Sequence, residues 1–174
     1  MKLATAIREC VLRPWVQADI PSLIANANSR AVWRNLADAF PHPYTEGDAE
    51  AWLGVASNPG RNVIFAIERD GLAIGGIGAR AGAGIFARTA QFGYWLGEAH
   101  WGRGLATAAG RAFLDHLAAD ARFVRLEAPV FAWNPASMRV LEKLGFEREG
   151  ILRQSVTKDG QLIDSVLYAR LLNQ

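Results

Sequence analysis

Apolar positions recur at two spacings along this chain. From about Ala18 to Asn28, Ile20, Leu23, Ile24 and Ala27 return every three or four residues, which puts them on one face of a helix. A shorter helix is predicted over Arg30 to Leu36. Phe40-Pro41-His42-Pro43-Tyr44 interrupts the pattern, because each proline fixes its own backbone angle and restricts the residue before it. Thr45-Glu46-Gly47-Asp48 restarts it as a capping box, in which the Thr hydroxyl and the Asp carboxylate answer free N–H groups. Ala49, Trp52, Leu53 and Ala56 form the inner face of that helix.

The period shortens after Asn58-Pro59-Gly60. Val63-Ile64-Phe65-Ala66-Ile67, within Asn62 to Glu68, reads as a strand. Asp70-Gly71 is a hairpin turn, and Leu72 to Gly78 is the return strand. Thr89 to Leu96 is a further strand, and Cys10 to Arg13 is an early one. A Gly-rich turn leads into a long helix from about Gly104 to Ala119, followed by a strand from Val124 to Phe131. Pro135 suits the first position of a helix that ends at Gly145. Two last strands flank Asp159-Gly160. This order describes a mixed α/β domain with a largely antiparallel sheet.

A length of 174 residues suits one domain, and a hydrophobic share of 51% supplies a sizeable core. The formal net charge is only +2, and the basic residues are scattered, so a nucleic-acid footprint is not expected. The sequence pI of about 9.0 reflects near-cancelling charges rather than a basic field. With one cysteine, Cys10, no intrachain disulfide can form; its apolar neighbours mark it as a buried structural thiol. No signal peptide or membrane-spanning run is visible, so a cytoplasmic setting is expected. His42, His100 and His116 lack metal-ligand spacing, and no metal is expected.

The chemistry concentrates at Trp101-Gly102-Arg103-Gly104-Leu105-Ala106-Thr107, between a strand and a helix. Glycines let the main chain approach a ligand, and the first N–H groups of a helix lack intrahelical partners. Such a turn holds a phosphate or pyrophosphate with few cationic side chains. A tight turn with no ligand is the other reading. The P-loop pattern is absent, and the dinucleotide fingerprint fails at Thr107. Gly76-Ile77-Gly78-Ala79-Arg80-Ala81 matches that fingerprint but is followed by Gly82 and Gly84 instead of a helix.

This segment resembles the coenzyme A pyrophosphate loop of the GNAT superfamily, Gln/Arg-x-x-Gly-x-Gly/Ala, with Gly104 and Ala106 in place. Trp101 departs from the Gln/Arg position and is similar to the branch of ribosomal-protein N-terminal acetyltransferases. The unit from Gly93 to Thr107 and the unit Asn134-Pro135-Ala136-Ser137 through Leu141-Glu142-Lys143-Leu144-Gly145-Phe146 carry the resemblance. Leu12-Arg13-Pro14-Trp15, Phe40 to Thr45 and Glu149 to Arg153 add to it. It covers residues 10–171 and implies one GNAT domain, with a mostly antiparallel central sheet of about seven strands flanked by four or five helices.

The resemblance implies an N-acetyltransferase that moves acetyl from acetyl-coenzyme A to a primary amine by direct transfer in a ternary complex. Backbone amides of Gly102, Arg103, Gly104, Leu105, Ala106 and Thr107 would hold the pyrophosphate. The strand edge at Leu96 would pair with the pantetheine arm and polarise the thioester carbonyl through a backbone N–H. Asn134 would bond the same arm, and it suits a helix N-cap equally well. Ser137 would donate to the departing thiolate. Glu127 is the first candidate for taking the amine proton, with Glu98 and His100 behind it; Tyr168 could equally belong to the core, and Asp164 has a similar standing. An N-terminal amine needs only about 1–1.4 kcal/mol to lose its proton at pH 7, against about 4.6 for a lysine, so a water relay suffices for the former. Arg103, Arg139 and Lys143 are candidates for coenzyme phosphates. Trp33, Phe40, Tyr44 and Trp52 belong to the core or the acceptor groove. The acceptor would be a peptide N-terminus or a small amine, with neither specific nucleic acid nor membrane as partner; a homodimer is left open. The alternative is a non-catalytic module that senses acetyl-coenzyme A.

Overall fold

The computed structural model describes residues 1–172. Its strands are β1 (Leu3–Ala4), β2 (Cys10–Arg13), β3 (Val63–Arg69), β4 (Leu72–Ala81), β5 (Thr89–Leu96), β6 (Arg125–Phe131), β7 (Glu147–Lys158) and β8 (Gln161–Leu171). Its α-helices are α1 (Ile20–Ala27), α2 (Arg30–Trp33), α3 (Glu46–Ser57), α4 (Leu105–Asp120) and α5 (Pro135–Lys143). One sheet holds all eight strands in the order β1-β2-β3-β4-β5-β6-β8-β7. Neighbours are antiparallel except β5 and β6. The count is one above the expected seven or so, because the two residues of β1 are too few to show a period. Helix α2 stops at Trp33 instead of reaching Leu36.

Local chemistry sets the element ends. The Asp48 carboxylate accepts the Thr45 N–H at 2.8 Å and the Thr45 hydroxyl accepts the Asp48 N–H at 3.3 Å, closing the capping box that opens α3. Asn134 caps α5, with Pro135 in its first turn. Both Asp-Gly hairpin turns have positive φ at Asp and Gly, as a type I′ turn needs.

Strand periodicity sorts the core onto the two faces of the sheet. On one face Phe65 and Ile67 of β3 and Phe92 of β5 pack with Phe113 of α4 and Leu141 of α5. On the other, Ala66 joins Trp15, Leu23, Tyr44 and Leu53, under α1 and α3. Buried Arg13 grips Asp19 through two N–H···O bonds of 2.7 Å and also bonds Glu68, tying β2 to the approach to α1. Cys10 is fully buried on β2, and burial pushes its thiol pKa up. Among the described residues, no helix is long and apolar enough to cross a membrane.

One irregularity positions everything that follows. Strands β5 and β6 pair over three positions only, Thr89↔Arg125, Ala90↔Leu126 and Gln91↔Glu127. Strand β5 continues along β4 as far as Leu96, so its second half has an open edge on the side of β6.

Candidate active site

The register decides which backbone groups face this opening. The Gly97 N–H bonds Ile74 O and the Gly82 N–H bonds Thr89 O, each at 2.9 Å. These fix the hydrogen-bonded positions of the β4–β5 ladder. The intervening positions, which include Gly75↔Leu96 and Ile77↔Tyr94, therefore turn their own N–H and C=O away from β4. The Leu96 carbonyl is taken by the Trp101 indole N–H at 2.8 Å, and the Leu96 N–H points into the opening. Trp101 is 44% exposed, so this bond, rather than burial, accounts for its placement.

At one mouth of the opening lies the Gly-rich turn. Gly102 and Gly104 have φ of +72° and +74°, and a Cβ at either would meet nothing within 4 Å. Side chains are disfavoured there, and the space beside the main chain is left for a ligand. The Ala108 N–H bonds Gly104 O at 3.0 Å, which is the start of the α4 ladder. The N–H groups of Leu105, Ala106 and Thr107 precede it and form a positive rim, with Arg103 beside them. The Leu105 side chain is buried in the core, so only its backbone serves the site. Residues 102–107 thus fit a pyrophosphate.

The opposite wall is the start of α5. Asn134 Oδ1 accepts the Ser137 N–H at 3.1 Å, so the cap is formed, while the amide NH₂ of Asn134 is a separate donor. Tyr94 donates its hydroxyl to Ser137 Oγ at 3.1 Å. Burial raises the Tyr94 pKa and the Ser137 bond partly offsets this. Together with Leu96, residues 102–107, Ala128 to Phe131 and Asn134, this pair lines a cleft of about 430 Å³. Sequence reasoning missed Tyr94. Its signal is parity: it shares a face of β5 with Phe92 and Leu96, and a phenol on an apolar face needs a partner.

Glu127 is not among the residues that line the cleft. Glu127 sits at the closed end of the split, paired in the ladder with Gln91, and accepts from Arg125 Nε at 2.8 Å. The β6 lining begins one residue later, at Ala128. Glu98 lies just beyond β5, and its carboxylate accepts from the Ser29 hydroxyl at 2.9 Å. His100 lines the cleft; burial, then Arg103 and Arg69, lower its pKa. Tyr168 donates to Glu142 at 2.9 Å, and Asp164 accepts the Gln154 N–H at 2.8 Å, both outside the cleft. Arg139 and Lys143 line it.

Val32, Asn35 and Leu36, from the segment after α1, also line the cleft. The expected aromatics do not line it. Phe40 packs between Tyr44 and Trp95, Trp52 packs on Trp15, and the Trp33 ring holds the Lys158 ammonium at 3.7 Å. Lys158 also bonds Asp38 at 2.6 Å, Arg30 bonds Asp159 at 2.8 Å, and the Arg34 guanidinium lies 4.1 Å from the Trp133 ring. A larger hollow of about 580 Å³ lies beside the end of α5, lined by Arg111, Asp115, Lys143, Glu147, Glu149 and Arg170 among others. Its charges are of both signs, and its glycine, Gly145, closes the end of a helix rather than opening one, so the cleft is the better candidate site.

A glycine turn at a helix start beside a splayed parallel strand pair is the arrangement that the resemblance to a coenzyme A-dependent acyltransferase implies. The chain belongs to the acetyltransferase (GNAT) domain family, which matches it over residues 9–147. The probable N-acetyltransferase YjcK of Bacillus subtilis is 43% identical over 84 residues, covering 48% of this chain and 46% of the relative. The ribosomal-protein-serine acetyltransferase of Escherichia coli is 35% identical over 86 residues, covering 49% and 48%. The chain spans about half the length of the curated relatives it matches. Mycobacterium smegmatis RimJ, solved in complex with CoA-disulfide, superposes with a TM-score of 0.83 at 28% identity, covering 100% of this chain and 88% of that one. RimL, a ribosomal L7/L12 alpha-N-protein acetyltransferase solved with coenzyme A, gives a TM-score of 0.87 at 21% identity and 99% coverage of both, a likeness of fold. Acetyl-coenzyme A is the co-substrate of this class, and the RimJ/RimL-like branch is the one the chain resembles.

Proposed function

We propose that the protein is an N-acetyltransferase that moves acetyl from acetyl-coenzyme A to a primary amine, with a protein N-terminus as the favoured acceptor. The observation that carries this reading is the opening between β5 and β6, with α4 N–H donors at one mouth and the Ser137 hydroxyl inside. Gly102 to Thr107 hold the pyrophosphate, and Asn134 and the β5 edge align the arm. The Leu96 N–H faces the thioester oxygen and stabilises the charge it gains. The amine nitrogen bonds to the carbonyl carbon as the C–S bond breaks, and Ser137 donates a hydrogen bond to the leaving thiolate. The amine proton leaves through water. Neither Glu98 nor Glu127 lines the cleft; we assign the relay to Glu98, which follows the free end of β5 and accepts only from a neutral hydroxyl, rather than to Glu127, whose charge is already paired with Arg125 at the closed end. The cytoplasm is the proposed setting.

The test is isothermal titration with acetyl-coenzyme A, followed by thiol release against peptides and small amines. Binding and release with one acceptor class are expected. Ser137→Ala should lower kcat about tenfold or more while leaving affinity within about twofold, the size of one hydrogen bond to a charged group. Glu98→Gln should lower kcat/KM more than Glu127→Gln does. Binding without release from any acceptor would favour the sensor reading, and no binding would end this one.

A further inference from the structure

We propose that Tyr94 is a positioning residue for the leaving sulfur: its phenol fixes Ser137 so that the serine proton is presented to the departing thiolate. This rests on the role given to Ser137 above. A serine hydroxyl has one proton and two acceptor sites. Tyr94 fills one acceptor site at 3.1 Å. The Ser137 proton itself has no protein acceptor among the described residues, and the Ser137 N–H is held by the Asn134 cap. The backbone of Ser137 is thus anchored from one side and its hydroxyl from the other, with the proton left for the cleft that both side chains line.

Tyr94 is suited to be the donor of the pair. Its ring packs against Phe92, centroid to centroid 6.2 Å, at the edge of the main core. Burial holds its pKa above the ordinary phenol value, so it keeps its proton through the neutral range. Phenol to serine to sulfur then forms a chain in which each bond polarises the next, a gain of about 10–30% per bond. The chain strengthens as sulfur gains charge, and no proton has to leave Tyr94.

The consequence is measurable without any acceptor. Coenzyme A carrying ¹³C at the carbon beside its sulfur reports the ionisation of its thiol when bound. In the unaltered protein that thiol should titrate below its ordinary value of about 8.5. Ser137→Ala should raise it by about one pH unit, as expected for one lost bond to a charged group. Tyr94→Phe, which keeps the ring, should raise it by a smaller amount, about 0.1–0.3 unit, and should add nothing on top of Ser137→Ala. If Ser137→Ala alone shifts the thiol, the inference about Tyr94 fails and the role of Ser137 stands. If Tyr94→Phe shifts it equally in both backgrounds, Tyr94 does not act through Ser137 and the inference also fails. If Ser137→Ala has no effect, the reading of Ser137 and the inference built on it fall together.

Discussion

At the end proposed for the coenzyme, main-chain N–H groups at Leu96 and from Gly102 to Thr107 form one wall of the cleft, opposite the side chains of α5. At the end proposed for the acceptor the lining residues are Val32, Asn35 and Leu36, on a segment fastened by Trp133 and by the β7–β8 hairpin tip. The first end is set by a few consecutive residues and their φ values. The second depends on contacts that span more than a hundred positions, such as Arg30 with Asp159 and Lys158 with Asp38. A backbone-built end serves one invariant ligand and tolerates little change in conformation. A side-chain-built end can be retuned for a new acceptor without disturbing it.

The largest expected effect breaks the backbone end. Gly104→Val places a β-branched residue at φ +74°, at a cost of about 3 kcal/mol, and should weaken acetyl-coenzyme A about 100-fold by titration calorimetry. A smaller effect is expected at the other end. Lys158 has only 2% of its side chain exposed, and its ammonium lies over Trp33. Trp33→Leu removes that face and should cost about 1–2 kcal/mol in urea unfolding. It should raise the acceptor KM several-fold while acetyl-coenzyme A affinity stays within about twofold. Equal losses for both ligands would show that the two ends are not separable.

The smallest effect should touch neither end. Asp48 accepts bonds from the Thr45 hydroxyl and N–H, which lower its pKa in the folded protein. A depressed carboxylate contributes stability above its unfolded pKa of about 3.9, and that contribution is lost as pH falls through the folded value. Asp48→Asn should therefore flatten part of the acid limb of a urea-midpoint profile and leave both ligands unaffected.

The same contrast explains what could be read in the chain. The glycine turn, the α4 start and the Asn134 cap are local, and their residues name them. The Thr45–Asp48 box and the two Asp-Gly turns were legible for the same reason. The position of Glu127 relative to the opening was not legible, because strand membership does not tell how far a ladder runs: pairing stops at Gln91↔Glu127, at the closed end. Tyr94 lay within a quoted motif, but its partner is 43 residues away. Lys158 looks like an ordinary hairpin cation in the sequence, and only the fold brings Trp33 and Asp38 to it.

The alternation along the free half of β5 has a further consequence in time rather than in space. Gly93 and Trp95 give their amides to β4, whereas Tyr94 and Leu96 turn theirs toward the opening. Neighbouring amides of one strand thus belong to different protection classes, and deuterium enters every second position first. A coenzyme arm laid along this edge slows those positions and leaves their neighbours as they were, so β5 records occupancy of the cleft residue by residue.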